Sequence, residues 1–155
     1  IRIRSDVERK RLAGLKAQDR ATAAVGAGLY SAEMSERTYA RLQDIVRAVV
    51  AAGRPALVDA TFLKRTQRDR FRALAAELVA PFVILAFDAP PDVLRERVAK
   101  RAAEGMDAAD ADVTVLEHQL ATREPLGDDE RALAVCIDTA QDVDWNEVLW
   151  RVDIV

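Results

Sequence analysis

Apolar residues along the chain follow two different periods. Ile1 and Ile3 alternate with arginines, a period of two that predicts a strand at residues 1–5, at the edge of a sheet. Short apolar stretches predict further strands at 56–58, 82–87 and 133–137. The stretch at 82–87 is apolar throughout, which is typical of a strand covered on both faces.

Between these strands the apolar residues recur with the helical period. The stripe Leu42, Ile45, Val46 and Val49 predicts a long helix that is capped by Ser31 and ends at Gly53. Other predicted helices are bounded by residues that cap or break helices: 7–15 ending near Gly14, one from the Thr66 cap to Pro81, one from Asp88-Ala89-Pro90-Pro91 to about Gly105, one from the Asp110 cap to Pro125, and one capped by Asp142 or Asp144. Residues 16–29 have no period and predict a loop.

Strands that alternate with helices predict crossover connections and a parallel sheet. We therefore expect an α/β fold, a three-layer arrangement with helices on both faces of the sheet. The length of 155 residues fits a single domain spanning 1–155.

Composition narrows the function classes. The net charge of −3 offers no broad basic field for nucleic acid and no polybasic tail for a membrane surface. No apolar run approaches the roughly 20 residues of a membrane span. The single cysteine, Cys136, excludes an internal disulfide and suits a cytoplasmic location. The chain begins without Met, so we expect a fragment or a processed product.

Polar residues end each predicted strand: Ser5-Asp6, Asp59-Ala60-Thr61, Asp88 and Asp138-Thr139. In an open parallel sheet, ligands bind at the carboxyl ends of the strands. For Asp88 and Asp138 the preferred interpretation is helix capping, whereas for Asp6 and Asp59 it is a ligand site.

Asp6 and Arg9 form a D-x-x-R motif after the first strand. A carboxylate at a strand end can accept a proton from an attacking hydroxyl, and an arginine one helical turn later can hold an anionic group bidentately. The motif alone has low specificity.

Arg97 and Arg101 lie one turn apart on a predicted helix. Like charges at this spacing repel slightly, so the pair favours a site for phosphate charge. The alternative is a solvated basic face with Glu96 and Glu104 as partners. Of the remaining residues with reactive or stacking side chains, Cys136, Trp145 and Trp150 fit core packing, and the only histidine, His118, fits a surface or packing role.

Four segments together resemble small P-loop kinases. R-I-R-S-D-V-E-R-K-R-L (2–12) is similar to their strand and D-x-x-R segment, and V-D-A-T-F (58–62) to their second strand end. R-V-A-K-R (97–101) is similar to the lid helix, and L-E-H-Q-L-A-T-R-E-P (116–125) to the segment after the lid in gluconate kinases. The closest resemblance is to "AAA domain" ATP-binding proteins of the polynucleotide kinase and gluconate kinase type, some of which are fused to aminoglycoside-phosphotransferase-like domains.

The resemblance implies a P-loop NTPase-like kinase that binds ATP and Mg²⁺ and transfers the γ-phosphoryl group to a hydroxyl of a small molecule. Asp6 would be the general base, Arg9 and Thr61 would bind the acceptor, and Asp59 would lie near Mg²⁺. Within a lid at about 91–124, Arg97 and Arg101 would neutralise the transferring phosphoryl group, and Arg123 would contact the adenine side.

One departure from the family is large, because no G-x-x-x-x-G-K-S/T phosphate loop occurs in the chain. In the family this loop and its strand precede the segment matching Ile1, at the centre of a sheet ordered 2-3-1-4-5. We therefore expect the central first strand to be missing, and an upstream segment, an upstream domain or another chain to fill a gap between 56–58 and 82–87. The alternatives are a non-catalytic nucleotide-sensing or protein-interaction domain, or chance motifs in an ordinary α/β domain.

Overall fold

The computed structural model describes residues 1–17, 19, 29, 31–104 and 113–154. Within these ranges the chain forms four strands, namely β1 (Arg2–Arg4), β2 (Leu57–Asp59), β3 (Ile84–Asp88) and β4 (Ala134–Asp138). Over the same ranges there are seven helices, namely α1 (Ser5–Leu12), α2 (Ala32–Ala51), α3 (Arg65–Glu77), α4 (Pro91–Glu104), α5 (Val113–Thr122), α6 (Asp128–Arg131) and α7 (Trp145–Ile154). No described helix is long and apolar enough to cross a membrane.

The first half of the chain builds a parallel pair of strands packed on helices. β1 pairs with β2 in a register that aligns Ile3 with Val58 and Arg4 with Asp59. Ile3 is buried in an apolar core with residues of α2 and α3: Tyr39, Leu42, Val46, Val49, Phe71 and Leu74. These helices cover the face of the sheet that bears Ile3, because their apolar stripes repeat every three or four residues.

The second half builds a second parallel pair. β3 aligns with β4 over five residues, from Ile84 opposite Ala134 to Asp88 opposite Asp138. Val135 and Ile137 of β4 are buried, and the adjoining helices bury Val98 of α4 and Leu116 of α5. Each half therefore has its own strand pair and its own buried apolar residues.

The two strand pairs form separate two-stranded sheets within the described residues. Direct pairing of β2 with β3 would have contradicted the expected gap between them. The two strands do not pair with each other within these residues. Leu57 is 50% exposed and Phe87 is 55% exposed, although both are large apolar residues on these two strands. The described residues do not form the single continuous sheet of the expected three-layer fold. The segment expected to fill the gap between β2 and β3 stays a prediction.

Several local predictions are confirmed. The Ser31 hydroxyl accepts a hydrogen bond from Met34 N at 3.1 Å and caps α2. Asp144 caps α7 by accepting from Asn146 N at 2.9 Å. Gly14 and Gly53 follow α1 and α2 with φ of 75° and 68°, the left-handed region that glycine enters without strain.

Other predictions are wrong. Thr66 is not the cap of α3, because the helix already begins at Arg65 and the residue before it is Lys64. The short helix α6 was not predicted. Cys136 is exposed, since its neighbours Val135 and Ile137 take the buried positions of β4. Trp145 and Trp150 are exposed on α7 instead of packed, and His118 lies at the surface as expected.

Some predictions fall outside the described residues. These are the Asp110 cap, the helix end near Gly105, and most of the loop at 16–29.

Candidate active site

The carboxyl ends of β1 and β2 bring two of the predicted motifs to one rim. The parallel register aligns Arg4 with Asp59, so Asp6 and Asp59 both lie at the rim formed by the carboxyl ends of the two strands. Asp6 accepts from Arg4 through both oxygens, at 3.2 Å to Nε and 2.6 Å to Nη2. Asp6 Oδ1 also accepts from Val7 N at 2.8 Å in the first turn of α1. The carboxylate is therefore held in one orientation at the strand end.

Asp59 is held by an arginine of the neighbouring strand. Its Oδ2 accepts from Arg2 Nε at 3.0 Å and Arg2 Nη2 at 2.5 Å, and both side chains are partly exposed. Among the described residues, no group of three or more His, Cys, Asp or Glu side chains could hold a metal ion. A single carboxylate fits Mg²⁺ only if phosphate oxygens and water complete its octahedron, which is how nucleotide sites bind it.

The Tyr39 hydroxyl of α2 lies at the turn that follows Thr61. Tyr39 is 3% exposed, and its hydroxyl accepts a hydrogen bond from Phe62 N at 3.2 Å. Burial raises the pKa of the Tyr39 phenol, and the hydrogen bonds from Thr61 and Phe62 and the charge of Arg9 offset part of that rise. Thr61 and Arg9, predicted from separate motifs to bind the acceptor, thus both lie near one buried hydroxyl.

The turn after Thr61 is strained and held from both sides. Phe62 has φ of 44°, a conformation that is uncommon for a residue with a bulky side chain. Its N–H donates to Tyr39, and its carbonyl accepts from Arg68 Nη1 at 3.0 Å. The Phe62 ring packs edge-on against Tyr39 and Phe71, with centroids 5.5 and 5.1 Å apart. Strain of this kind persists where the surroundings over-determine it.

The predicted lid arginines lie in the second half. Arg97 and Arg101 both line a groove of about 280 Å³ between α4 and α5, with Leu94, Val98, Leu116 and Gln119. Arg97 also donates to Thr139, at 2.8 Å to Oγ1 and 2.5 Å to the backbone oxygen. The two guanidinium groups thus share one face of α4.

Arg123 lies at the carboxyl end of β3. Its Nη1 is 3.2 Å from Asp88 Oδ1, which also accepts from Ala89 N at 3.0 Å. Asp138 Oδ1 accepts from Ala140 N at 2.9 Å. Asp88 and Asp138 therefore hydrogen-bond within the turns after their strands. The helix capping preferred for them is not found, since α4 begins at Pro91 and Asp144 caps α7.

The predicted site residues thus fall into two groups. Asp6 and Arg9 lie on α1 directly after β1, and Asp59 and Thr61 lie at the end of β2 and just beyond it. Arg97 and Arg101 lie on α4, and Arg123 directly follows α5. The family described as "AAA domain" matches residues 1–126, which include every residue of both groups. The chain belongs to the AAA domain family. No curated protein matches the sequence.

Membership of the AAA domain family gives this chain a P-loop NTPase-like α/β fold of the nucleotide-binding type. The match ends at residue 126, before β4 and α7, so the last strand of the second sheet lies outside it.

A cluster of ion pairs joins the two halves of this AAA domain. Arg68 and Glu130, 5% and 2% exposed, are bonded through Nε–Oε1 at 2.5 Å and Nη2–Oε2 at 3.0 Å. Arg68 also donates to the carbonyls of Glu124 at 3.2 Å and Pro125 at 3.3 Å. One buried guanidinium therefore contacts both the Phe62 turn and the segment that follows Arg123.

Exposed pairs surround this buried one. Arg65 donates to Asp129 at 2.7 and 3.1 Å, and Glu124 accepts from Arg65 N at 2.7 Å. The bond to Arg68 lowers the pKa of Glu130, that to Arg65 lowers the pKa of Asp129, and the Arg65 N–H lowers the pKa of Glu124. All three carboxylates are stabilised in the charged form by the link between the halves.

Sequence reasoning missed Tyr39, Arg68 and Glu130. Tyr39 lies on the apolar stripe of α2 and reads as core. Arg68 sits within the apolar stripe of α3, three residues before Phe71, and a charged residue on a buried face was the available signal of a buried polar partner.

Proposed function

We propose that this AAA domain is the acceptor-binding and lid part of an ATP-dependent kinase that phosphorylates a hydroxyl of a small molecule. The observation that carries the proposal is the common rim of β1 and β2, where the D-x-x-R and D-x-T motifs meet. The Tyr39 hydroxyl accepts from Phe62 N directly after Thr61, the last residue of the second motif. A general base, an anion-binding arginine and a hydroxyl at one strand edge suit the acceptor side of phosphoryl transfer.

Each residue has a stated role in this proposal. Asp6 orients the acceptor hydroxyl and takes its proton, since its oxygens keep lone pairs beyond those used by Arg4. Arg9 holds an anionic or polar end of the acceptor. Asp59 contributes one oxygen or one water to Mg²⁺, and phosphates supply the rest.

In the second group, Arg97 and Arg101 neutralise charge on the transferring phosphoryl group, and Arg123 contacts the adenine side. Mg²⁺ supplies charge neutralisation when it is bound with the nucleotide.

The phosphate cradle would come from residues outside these 155, because no G-x-x-x-x-G-K-S/T string is present. We therefore expect the 155-residue chain to bind Mg-ATP weakly or not at all in calorimetry. Micromolar binding would mean that this chain holds the phosphates by other means.

The test of catalysis uses the natural protein, including any residues encoded upstream of Ile1. With Mg-ATP, transfer is assayed to gluconate, to an aminoglycoside and to a 5′-hydroxyl oligonucleotide. Asp6→Asn should lower kcat by about 10²–10⁴-fold, the usual contribution of a general base. Asp138→Asn, which alters a turn carboxylate of β4, is the matched control and should leave kcat nearly unchanged. Equal activity of Asp6→Asn and wild type would reject the assignment.

The contacts also favour a second candidate, a non-catalytic nucleotide-sensing or protein-interaction domain. Asp6, Asp59 and Arg97 are engaged by Arg4, Arg2 and Thr139. A protein whose upstream region lacks a phosphate loop, and which transfers no phosphate to any of the three acceptors, would support this candidate over the kinase.

A further inference from the structure

The turn at Asp59–Phe62 carries two of the proposed site residues and is bounded by a strained peptide. Phe62, with φ of 44°, directly follows Thr61. This conformation is unfavourable for a residue with a large side chain, so neighbouring contacts must hold it there.

Two buried side chains from different helices supply these contacts. The Tyr39 hydroxyl accepts a hydrogen bond from Phe62 N at 3.2 Å, and Arg68 Nη1 donates to the Phe62 carbonyl at 3.0 Å. Both backbone polar groups of Phe62 are thus hydrogen-bonded to buried side chains. Because Thr61 and Phe62 share a peptide bond, holding the Phe62 N–H also holds the peptide that follows Thr61.

Arg68 is itself locked in place. Its guanidinium is bonded bidentately to the buried Glu130 and to the carbonyls of Glu124 and Pro125. Because a planar guanidinium directs its N–H groups in fixed directions, these bonds leave Nη1 aimed at the Phe62 carbonyl. The position of the turn is therefore tied to the segment that follows Arg123.

We propose that Tyr39 and Arg68 are positioning residues that hold the strained Phe62 turn and thereby fix the position of Thr61, the residue before it, at the rim of the site. This deepens the proposed function, because it names what shapes the acceptor side of that site. Neither residue touches the acceptor in this proposal, since both are buried.

The deciding experiment is nuclear magnetic resonance on the 155-residue chain, and it needs no substrate. Tyr39→Phe removes only the hydroxyl and keeps the ring that packs on Phe62 and Phe71. We expect exchange of the Phe62 amide to quicken at least about tenfold, since its buried acceptor is gone. We also expect the Thr61 methyl group to populate more than one rotamer, while amides in the middle of α2 and α3 keep their protection.

Two further variants sharpen the test. Thr38→Val removes the buried hydroxyl of the neighbouring residue on α2, which bonds Met34 O within the helix, and should change neither signal. Arg68→Lys keeps a cation opposite Glu130 but lacks the planar fork, so it should loosen Thr61 while most of the fold remains. An unchanged Phe62 amide and a single Thr61 rotamer in both Tyr39→Phe and Arg68→Lys would overturn the proposal. Equal loss of protection across α2 and α3 would also overturn it, because Tyr39 would then only stabilise the fold.

A kinetic measurement separates this inference from the proposed function. In the natural protein with Mg-ATP, Tyr39→Phe should raise the KM for the acceptor several-fold and leave the KM for ATP nearly unchanged. Equal rises in both KM values would count against a positioning role at the acceptor. If the wild-type protein phosphorylates none of the three acceptors, the kinase proposal fails, and the resonance measurement alone decides the inference.

Discussion

A buried guanidinium is stable only when its N–H groups find acceptors, because an unpaired buried charge carries a large desolvation cost. Arg68 meets this condition with one carboxylate and three carbonyl oxygens. The consequence is that this residue, on a helix of the first half, depends on Glu124, Pro125 and Glu130 of the second half. Its removal should therefore affect more than α3.

Arg68→Met is expected to lower the free energy of unfolding by about 3–5 kcal/mol, since it leaves Glu130 charged and buried without a partner. The measurement is urea denaturation followed by circular dichroism. Combining Arg68→Met with Glu130→Leu should recover most of the loss, because apolar residues can replace a buried ion pair at little cost. A double variant as unstable as the single one would mean that the carbonyl contacts, and not the charge pair, set the cost.

Acid should weaken the same link. The pKa of Glu130 is lowered by Arg68, so its stabilising contribution is complete above the unfolded pKa of about 4.3 and is lost as pH falls through the lower folded pKa. We expect the urea midpoint to fall between about pH 4.5 and the folded pKa values of Glu130, Asp129 and Glu124. The Arg68→Met, Glu130→Leu double variant should lose less stability over this interval, and parallel curves for the two proteins would contradict the assignment.

Among individual residues, the sequence predicts several members of the candidate site but misses the buried residues that hold them in place. Asp6 and Arg9 are three positions apart and Asp59 and Thr61 two, so a local motif identifies each pair. The contact from Phe62 to Tyr39 spans 23 positions and that from Arg68 to Glu130 spans 62. Contacts at such separations depend on how the helices pack, which no local pattern encodes.

Among the elements, α2 is the one that its sequence predicts best. A capping serine, an apolar stripe and a terminal glycine agree with each other, and consistent local signals of this kind specify a helix well. The start of α3 was mispredicted, because Lys64 precedes the helix and its N–H is bonded to Gln67 Oε1 at 3.1 Å. The side chain of Gln67, in the first turn, bonds the N–H of the residue before the helix, and no Ser or Thr side chain caps α3. Thr66 lies inside the helix and was therefore a misleading signal.

Ser31→Ala tests how much the cap of α2 contributes. The hydroxyl that bonds Met34 N is lost, so the free energy of unfolding should fall by about 1 kcal/mol. Ser35→Ala is the matched control inside the same helix, where alanine is the better helix former and should be neutral or slightly stabilising. Thermal or urea unfolding of the two variants compares them directly, and equal destabilisation would show that Ser31 does not act as a cap.

The apolar run at 82–87 illustrates a partial success at this scale. Its strand character was predicted, and β3 occupies Ile84–Asp88. Its apolar faces predict cover on both sides, whereas Phe87 is more than half exposed in the described structure. The apolar residues of a strand match the surroundings in which it folds, and these include any neighbouring segment outside these 155 residues. A segment of that kind would cover the exposed Phe87.

For the whole molecule, the main feature is the separation of the four strands into two pairs. β1–β2 and β3–β4 are each parallel, and the inner edges of β2 and β3 lack a partner strand within the described ranges. Sheet edges with free backbone groups readily accept another strand. Together with the exposed Leu57 and Phe87, this supports the prediction that another segment fills the gap.

Backbone directions identify which amide groups would report such a segment. Leu57 N donates to Ile1 O at 2.9 Å, and Ile84 N donates to Leu133 O at 2.9 Å. Successive residues of a strand direct their backbone groups to opposite edges. Leu57 and Asp59 therefore face β1, and Ile84 and Ala86 face β4, whereas Val58, Leu85 and Phe87 direct their N–H groups toward the unpaired edges.

We expect the amides of Val58, Leu85 and Phe87 to exchange quickly in the 155-residue chain and to become strongly protected in the natural protein with its upstream residues. Asp59, Ile84 and Ala86 are the internal controls, since their N–H groups face strands already present and should be protected in both proteins. Hydrogen exchange followed by mass spectrometry or nuclear magnetic resonance measures this. Protection of all six amides in the 155-residue chain would mean that a second copy or another part of the chain already occupies the gap. Rapid exchange of the first three in the longer protein would mean that no strand enters it, and the idea of a missing central strand would then be abandoned.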